Sequence, residues 1–168
     1  MNKVILVDEN DTPVGVAEKL EAHQRGVLHR AFSVFVFNSK GQILLQKRAS
    51  TKYHSGGLWS NTCCSHPEPG ENTEAAAHRR LMEEMGFDCT LTKAGTLLYK
   101  VAFPNGLTEH EFDHLFIGHY DGTPTLNSEE AEAWEWVGPD ALKAAIAANP
   151  ERYTYWFKIS LPSALAKL

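Results

Sequence analysis

Two short stretches carry most of the reactive side chains. Asn61-Thr62-Cys63-Cys64-Ser65-His66-Pro67 sets a thiol and an imidazole two residues apart. Glu109-His110-Glu111 sets two carboxylates two residues apart. In an extended strand, residues i and i+2 point to the same face. Cys64 can then lie beside His66, and Glu109 beside Glu111. A thiol, metal-ligand types and paired acids that converge on one pocket suit catalysis.

His23, His29, His66, Glu109 and Glu111 form a mixed set of imidazoles and carboxylates. Such a set suits Zn²⁺, Mn²⁺ or a related divalent ion. The spacing of His23 and His29 is not a helical pair, and on spacing alone both read equally as surface residues near a strand entrance. The chain has eight histidines, so His54, His78, His110, His114 and His119 compete for any metal. In a regular strand His110 and His114 face away from Glu109 and Glu111, as rim or solvated residues. A lone cysteine is most often a small buried hydrophobe, and Cys89 reads that way. Cys63 and Cys64 are neighbours and face opposite sides of a strand, so only Cys64 has the two-residue offset to His66.

The elements that must position these groups follow from periodicity. Val4–Val7 and Val14–Ala17, joined by the turn-rich segment 8–13, read as a hairpin. Ala31–Phe37 is aromatic and β-branched, a buried strand that turns at Asn38-Ser39-Lys40-Gly41 into Gln42–Gln46. Residues 50–61 read as a loop. Thr73–Met85 reads as a helix with Asn72 or Thr73 as N-cap, an apolar line of Ala77, Leu81 and Met85, and Gly86 just beyond its end. Gly95–Phe103 and Glu109–His119 read as strands, Trp134–Val137 as a further short strand, and Pro139–Ala148 as a helix. Tyr153–Leu165 reads as a C-terminal helix that Pro162 should break or kink. The class is α+β: a mixed β-sheet sandwiched by helices, in a single domain over residues 1–168.

The 168 residues are 43% hydrophobic, enough for a substantial core. No stretch approaches the roughly 18–20 apolar residues of a membrane span. The apolar run near Val4–Val7 is too short for a signal peptide. Three cysteines, an odd count, suit free thiols in a reducing cytoplasm. A net charge of −5 argues against nonspecific nucleic-acid binding, so an anionic small substrate would need local cations or metal.

The helix adds a second signal. Arg80 and Glu84 are i, i+4 neighbours, which ordinarily marks a solvated charged face. Here, however, Glu71, Arg79, Leu81, Glu83, Glu84, Gly86 and Phe87 stand at the spacing of the Nudix box. That box holds Mg²⁺ against a diphosphate. Two positions depart from it: Ser65 stands where the box begins with glycine, and Arg80 stands where it has a metal-binding glutamate.

Over nearly its whole length the chain resembles the type I isopentenyl-diphosphate Δ-isomerases, the isomerase branch of the Nudix superfamily. The resemblance runs through Glu18-Lys19, Ala22-His23, Leu28-His29, Ala31-Phe32, Lys47-Arg48-Ala49, Gly57-x-Trp59, Asn61-x-x-Cys64-x-His66-Pro67, Tyr99, Glu109-x-Glu111 and Trp156. It implies that His23, His29, His66, Glu109 and Glu111 bind one divalent ion, Mn²⁺ or Zn²⁺. It implies that Cys64 and Glu111 flank the allylic carbons, with Tyr99 hydrogen-bonding near the acid. Glu84, with the Cys64 carbonyl, would bind Mg²⁺ bridging to the diphosphate. Lys19, Arg48, Lys52 and Arg80 would contact phosphate oxygens, and Trp156 would cover the hydrocarbon end. The implied partner is a small isoprenoid diphosphate, with neither nucleic acid nor membrane, on a monomer or weak dimer.

A Nudix diphosphate hydrolase is the main rival. It leaves the ligand set and Cys64 without a role, and Arg80 opposes it. A noncatalytic binding module predicts diphosphate or metal binding without turnover. A thiol peroxidase built on Cys64 needs no carboxylate pair.

Overall fold

The computed structural model describes residues 2–168. Strands β1 (Lys3–Val7) and β2 (Pro13–Glu18) form the expected hairpin. A short helix, α1 (Lys19–Arg25), then leads into β3 (His29–Phe37). Next come β4 (Ile43–Arg48), β5 (Trp59–Ser60), β6 (Cys63–Ser65) and α2 (Thr73–Met85). The long strands β7 (Leu91–Ala102) and β8 (Thr108–His119) follow, then β9 (Ala131–Val137), α3 (Pro139–Ala148) and α4 (Tyr155–Leu165).

β3 is the hub. It pairs in parallel with β8 along its whole length and antiparallel with β1, β4 and β6. β7 extends the sheet beyond β8, and β9 pairs with β4. The two-residue alternation along β3 divides the core into two layers. Phe32, Val34 and Val36 pack with Ala76, Ala77, Leu81 and Met85 of α2. Phe35 and Phe37 pack on the other face with Leu142 of α3 and with Phe157 and Leu161 of α4. The apolar line of α2 is fully buried, Asn72 is its cap, accepting from the Ala75 N–H at 3.0 Å, and Gly86 closes it at φ +74°.

Several boundaries differ from the sequence reading. α1 has no long apolar stripe and was not expected. β7 starts at Leu91 rather than Gly95, because a bulge between Lys93 and Thr96 lets pairing with β8 continue. The segment 50–61 is not all loop: Trp59 and Ser60 pair with Lys47 and Gln46. Gly56 is required there, since a Cβ would stand 2.7 Å from the Ser50 carbonyl oxygen. Pro162 does not break α4. It lies near the helix end, where one backbone bond is lost while Phe157, Leu161 and Ala164 stay buried.

Candidate active site

The β3–β8 register assembles the site. His29 stands opposite Glu111, and Glu111 stands opposite Tyr99 on β7, so one row crosses three strands. Ser33 stands opposite Cys64 on β6, which puts the thiol on that same sheet face. Cys63 points into the opposite core layer. α1 brings in His23, and the chain leaving β6 brings in His66.

His23, His29, His66, Glu109 and Glu111 converge, each offering a ligand atom within 4.8 Å of the others. The tautomers argue for a cation. His23 Nδ1–H donates to the Lys19 carbonyl at 2.6 Å, and His29 Nδ1–H to the Val27 carbonyl at 3.0 Å. With Nδ1 committed, the remaining nitrogen of each ring, Nε2, which carries the lone pair of a neutral imidazole, faces carboxylate oxygens: His23 against Glu109 Oε1, and His29 3.4 Å from Glu111 Oε2. His29 Nε2 and Glu109 Oε1 are buried without a hydrogen-bond partner. Acceptors facing acceptors in a buried site are stable with a cation between them. The donor set therefore fits a divalent metal.

Among the protein's own groups the rings and acids stabilise each other's charge: burial lowers His29, but Glu111 and Glu109 outweigh it and raise that ring. Burial pushes the Glu111 carboxyl up, but His29 and His66 outweigh it and hold it well below the usual range. Burial and Glu111 push Glu109 up, yet His23 and His54 bring it below its ordinary value. Burial lowers His66 to about 4 against the pull of Glu111, 2.9 Å away, so this ring is neutral and free to ligate. Asp113, two residues beyond Glu111, is pushed well up by burial and by Glu111, and it accepts from the Ser33 hydroxyl at 2.8 Å.

Cys64 lies under α4. The Thr154 N–H donates to the Trp59 carbonyl at 2.9 Å, and this anchor starts the helix so that the Trp156 indole N–H points at Cys64 Sγ, 3.0 Å away. The thiol itself donates to Asn61 Oδ1 at 2.8 Å. Nearby cations do not make Cys64 a thiolate at rest. Burial, with Asp113 and Glu84, pushes the thiol up to about 12 and outweighs Arg48.

Lys19, Arg48, Lys52 and Arg80 line the same cavity as Cys64, Glu111 and Trp156. Arg48 lies 5.1 Å from the Trp156 ring and Lys19 4.7 Å from the Tyr53 ring. Glu84 accepts from Gln46 Nε2 at 3.0 Å and from Arg80 Nη2 at 2.8 Å. Each of its oxygens keeps a second lone pair for a metal.

Three residues at the site escaped the sequence reading. His54 counted only as a competing histidine, yet it is buried, stacks on Phe103 with centroids 4.7 Å apart, and aims Nε2 at Glu109 Oε2 over 3.5 Å. Tyr53 Oη lies 3.4 Å from His23 Nε2. Glu130 bridges Lys52 and Arg80. Only the Tyr53-His54 adjacency to Lys52 hinted at the first two, and nothing local marked Glu130. His110 and His114 do face away, as expected. They are partnered rather than solvated: His110 Nδ1 lies 3.1 Å from the Gly26 carbonyl, and His114 Nε2 2.9 Å from Asp11 Oδ2.

The NUDIX domain family matches residues 27–157. The chain is 56% identical to the isopentenyl-diphosphate Delta-isomerase 2 of Aromatoleum aromaticum, over 95% of this chain and 85% of that one. It is 53% identical to the isopentenyl-diphosphate Delta-isomerase of Pectobacterium atrosepticum, over 95% and 89%. Among solved structures it is similar to a Deinococcus radiodurans protein, with TM-score 0.73 and 24% identity over 88% of this chain and 90% of that one. A MutT protein from Methanosarcina mazei Go1 aligns with TM-score 0.67 and 17% identity over 83% and 95%. These two structural likenesses speak to the fold alone.

Proposed function

The chain belongs to the isopentenyl-diphosphate Delta-isomerases, within the NUDIX domain family, and we propose that it interconverts isopentenyl and dimethylallyl diphosphate by moving a double bond through two proton transfers. The observation that carries this reading is one cavity lined by Cys64, by Glu111 with Tyr99 hydrogen-bonded behind it, by His66 and Glu109 of the ligand cluster, and by four cations. A hydrolase has no use for the thiol or the cluster, and Arg80 replaces an acid it needs.

The reaction protonates C4 of an unactivated alkene and removes a proton from C2, through a tertiary carbocation. Glu111, hydrogen-bonded to Tyr99, gives the proton in the forward direction, and Cys64 accepts one at the other face. At rest Cys64 is a thiol and Glu111 a carboxylate, so a proton must pass from the sulfur to the Glu111–Tyr99 pair before the alkene is protonated. The Trp156 indole N–H is placed to support the sulfur as it gains charge. The Trp156 ring also offers an aromatic face to the carbocation, a contact of roughly 0.5–2 kcal/mol. Burial of Tyr99 and Glu111, with Cys64 half-buried beneath Trp156, keeps water from quenching the cation.

Mn²⁺ or Zn²⁺ at His23, His29, His66, Glu109 and Glu111, and Mg²⁺ at Glu84 with the Cys64 carbonyl, would supply positive charge that neutralises the carboxylates and the diphosphate. Lys19, Arg48, Lys52 and Arg80 bind the phosphate oxygens. Free Cys63, Cys64 and Cys89 suit a reducing cytoplasm, and no helix among the described residues is long and apolar enough to cross a membrane.

The test is NMR of the protein with isopentenyl diphosphate in D₂O, with Mg²⁺ and Mn²⁺ or Zn²⁺ present. Deuterated dimethylallyl diphosphate without phosphate release is the expected product. Phosphate release would replace this reading with a hydrolase.

A further inference from the structure

Glu130 has no part in the proton transfers, yet it sits inside the cationic cradle. Its Oε2 is 2.8 Å from Lys52 Nζ and its Oε1 is 3.2 Å from Arg80 Nη2. A carboxylate spanning two cations occupies the place that phosphoryl oxygens would take. We infer that Glu130 is a resident counter-anion of the cradle, displaced when the substrate's diphosphate enters, and that it sets a threshold which a diphosphate clears and a monophosphate barely does. This deepens the isomerase reading by naming what discriminates at its anion site.

Three features support displacement. The Glu130 backbone is pinned, with its N–H donating to the Asn127 carbonyl at 2.9 Å and its carbonyl accepting from the Ala49 N–H at 3.0 Å. Exchange therefore needs only a side-chain rotation. Its side chain keeps 21% exposure, whereas Glu84, the other acid of this cavity beside Arg80, keeps 4% and is held by Gln46 as well. Glu130 is the acid that can leave. Its charge is also firmly in place: burial opposes ionisation, but Lys52 and Arg80 hold the carboxyl down at about 2.

Selectivity follows from counting contacts. A diphosphate replaces both of Glu130's ion pairs and still has oxygens for Lys19 and Arg48. A monophosphate spends its oxygens replacing what Glu130 already gave, so its net gain is small.

The experiment is calorimetric titration of the metal-loaded protein with inorganic diphosphate and with inorganic phosphate, at fixed ionic strength. In Glu130→Gln both anions should bind more tightly. Each should gain about tenfold, the order expected when one opposing close charge is removed. Glu130→Asp keeps the charge and should not show the gain. Weaker or unchanged binding in Glu130→Gln overturns the inference, because Glu130 then merely holds Lys52 and Arg80 in place. An equal gain in Glu130→Asp overturns it too, because charge would not be the cause. Neither readout requires turnover, so a failed isomerase assay and a failed anion titration are separate results.

Discussion

Tyr99 and Glu111 face each other directly across the β7–β8 ladder, and the buried Tyr99 phenol donates to Glu111 Oε1 at 2.6 Å. The other carboxylate oxygen, Oε2, faces His29 and His66. One acid is thus held from both sides, by a fixed donor on one oxygen and two imidazole rings on the other. Burial and Glu111 push the Tyr99 hydroxyl well above its ordinary range, so it stays a donor at any working pH.

Tyr99→Phe keeps the ring and deletes that donor. A hydrogen bond to a charged group is worth about 1.5–3 kcal/mol, so kcat should fall about 10- to 100-fold. KM should change little, because Tyr99 is not among the residues lining the cradle. Steady-state kinetics with unchanged kcat would remove Tyr99 from the acid pair.

Cys64→Ala should abolish isomerisation and leave inorganic diphosphate binding largely intact, as the thiol takes no part in the ion pairs of Lys52 and Arg80. Calorimetry and NMR turnover check both halves. Near-normal turnover ends the Cys64 assignment.

Lys19 gives a pH signature. Burial, reinforced by Lys52, lowers it to about 8. It is charged below that value and neutral above it, and bound diphosphate favours the charged form. KM for the diphosphate should therefore rise several-fold as pH passes upward through about 8. Lys19→Met should have a higher KM at pH 7 and lack that rise. A pH profile of KM between neutral and mildly alkaline pH decides it.

His54→Ala should weaken metal retention by about 10- to 100-fold, the usual effect of losing a group that orients a ligand. The mechanism is loss of the imidazole facing Glu109 Oε2. Chelator competition, with circular dichroism to verify folding, measures it. Unchanged affinity would reduce His54 to packing against Phe103. His66→Ala should lower metal content in elemental analysis outright.

Leu81 is fully buried where α2 meets Phe32 and Val34. Leu81→Ala should destabilise by about 2–5 kcal/mol, read from the urea midpoint.

The sequence alone determined the parts with local causes. Helix α2 was legible because Ala77, Leu81 and Met85 repeat every four residues between Asn72 and Gly86. β3 and β8 were legible because their alternation and β-branched or aromatic content are properties of one segment. Donor types were legible too, since Cys64-x-His66 and Glu109-x-Glu111 lie within three residues each.

What only the tertiary structure decided is how those parts meet. His29 stands beside Glu111 because β3 pairs in parallel with β8 in one register, and a slip of one residue would turn every one of these side chains to the opposite face. Pairing between segments some eighty residues apart leaves no trace in either segment's own pattern. The same is true of Glu130 against Lys52 and of Trp156 against Cys64, both set by how distant elements pack. The protonation of Cys64 belongs there as well: burial beneath α4, next to Asp113, keeps the proton on the sulfur.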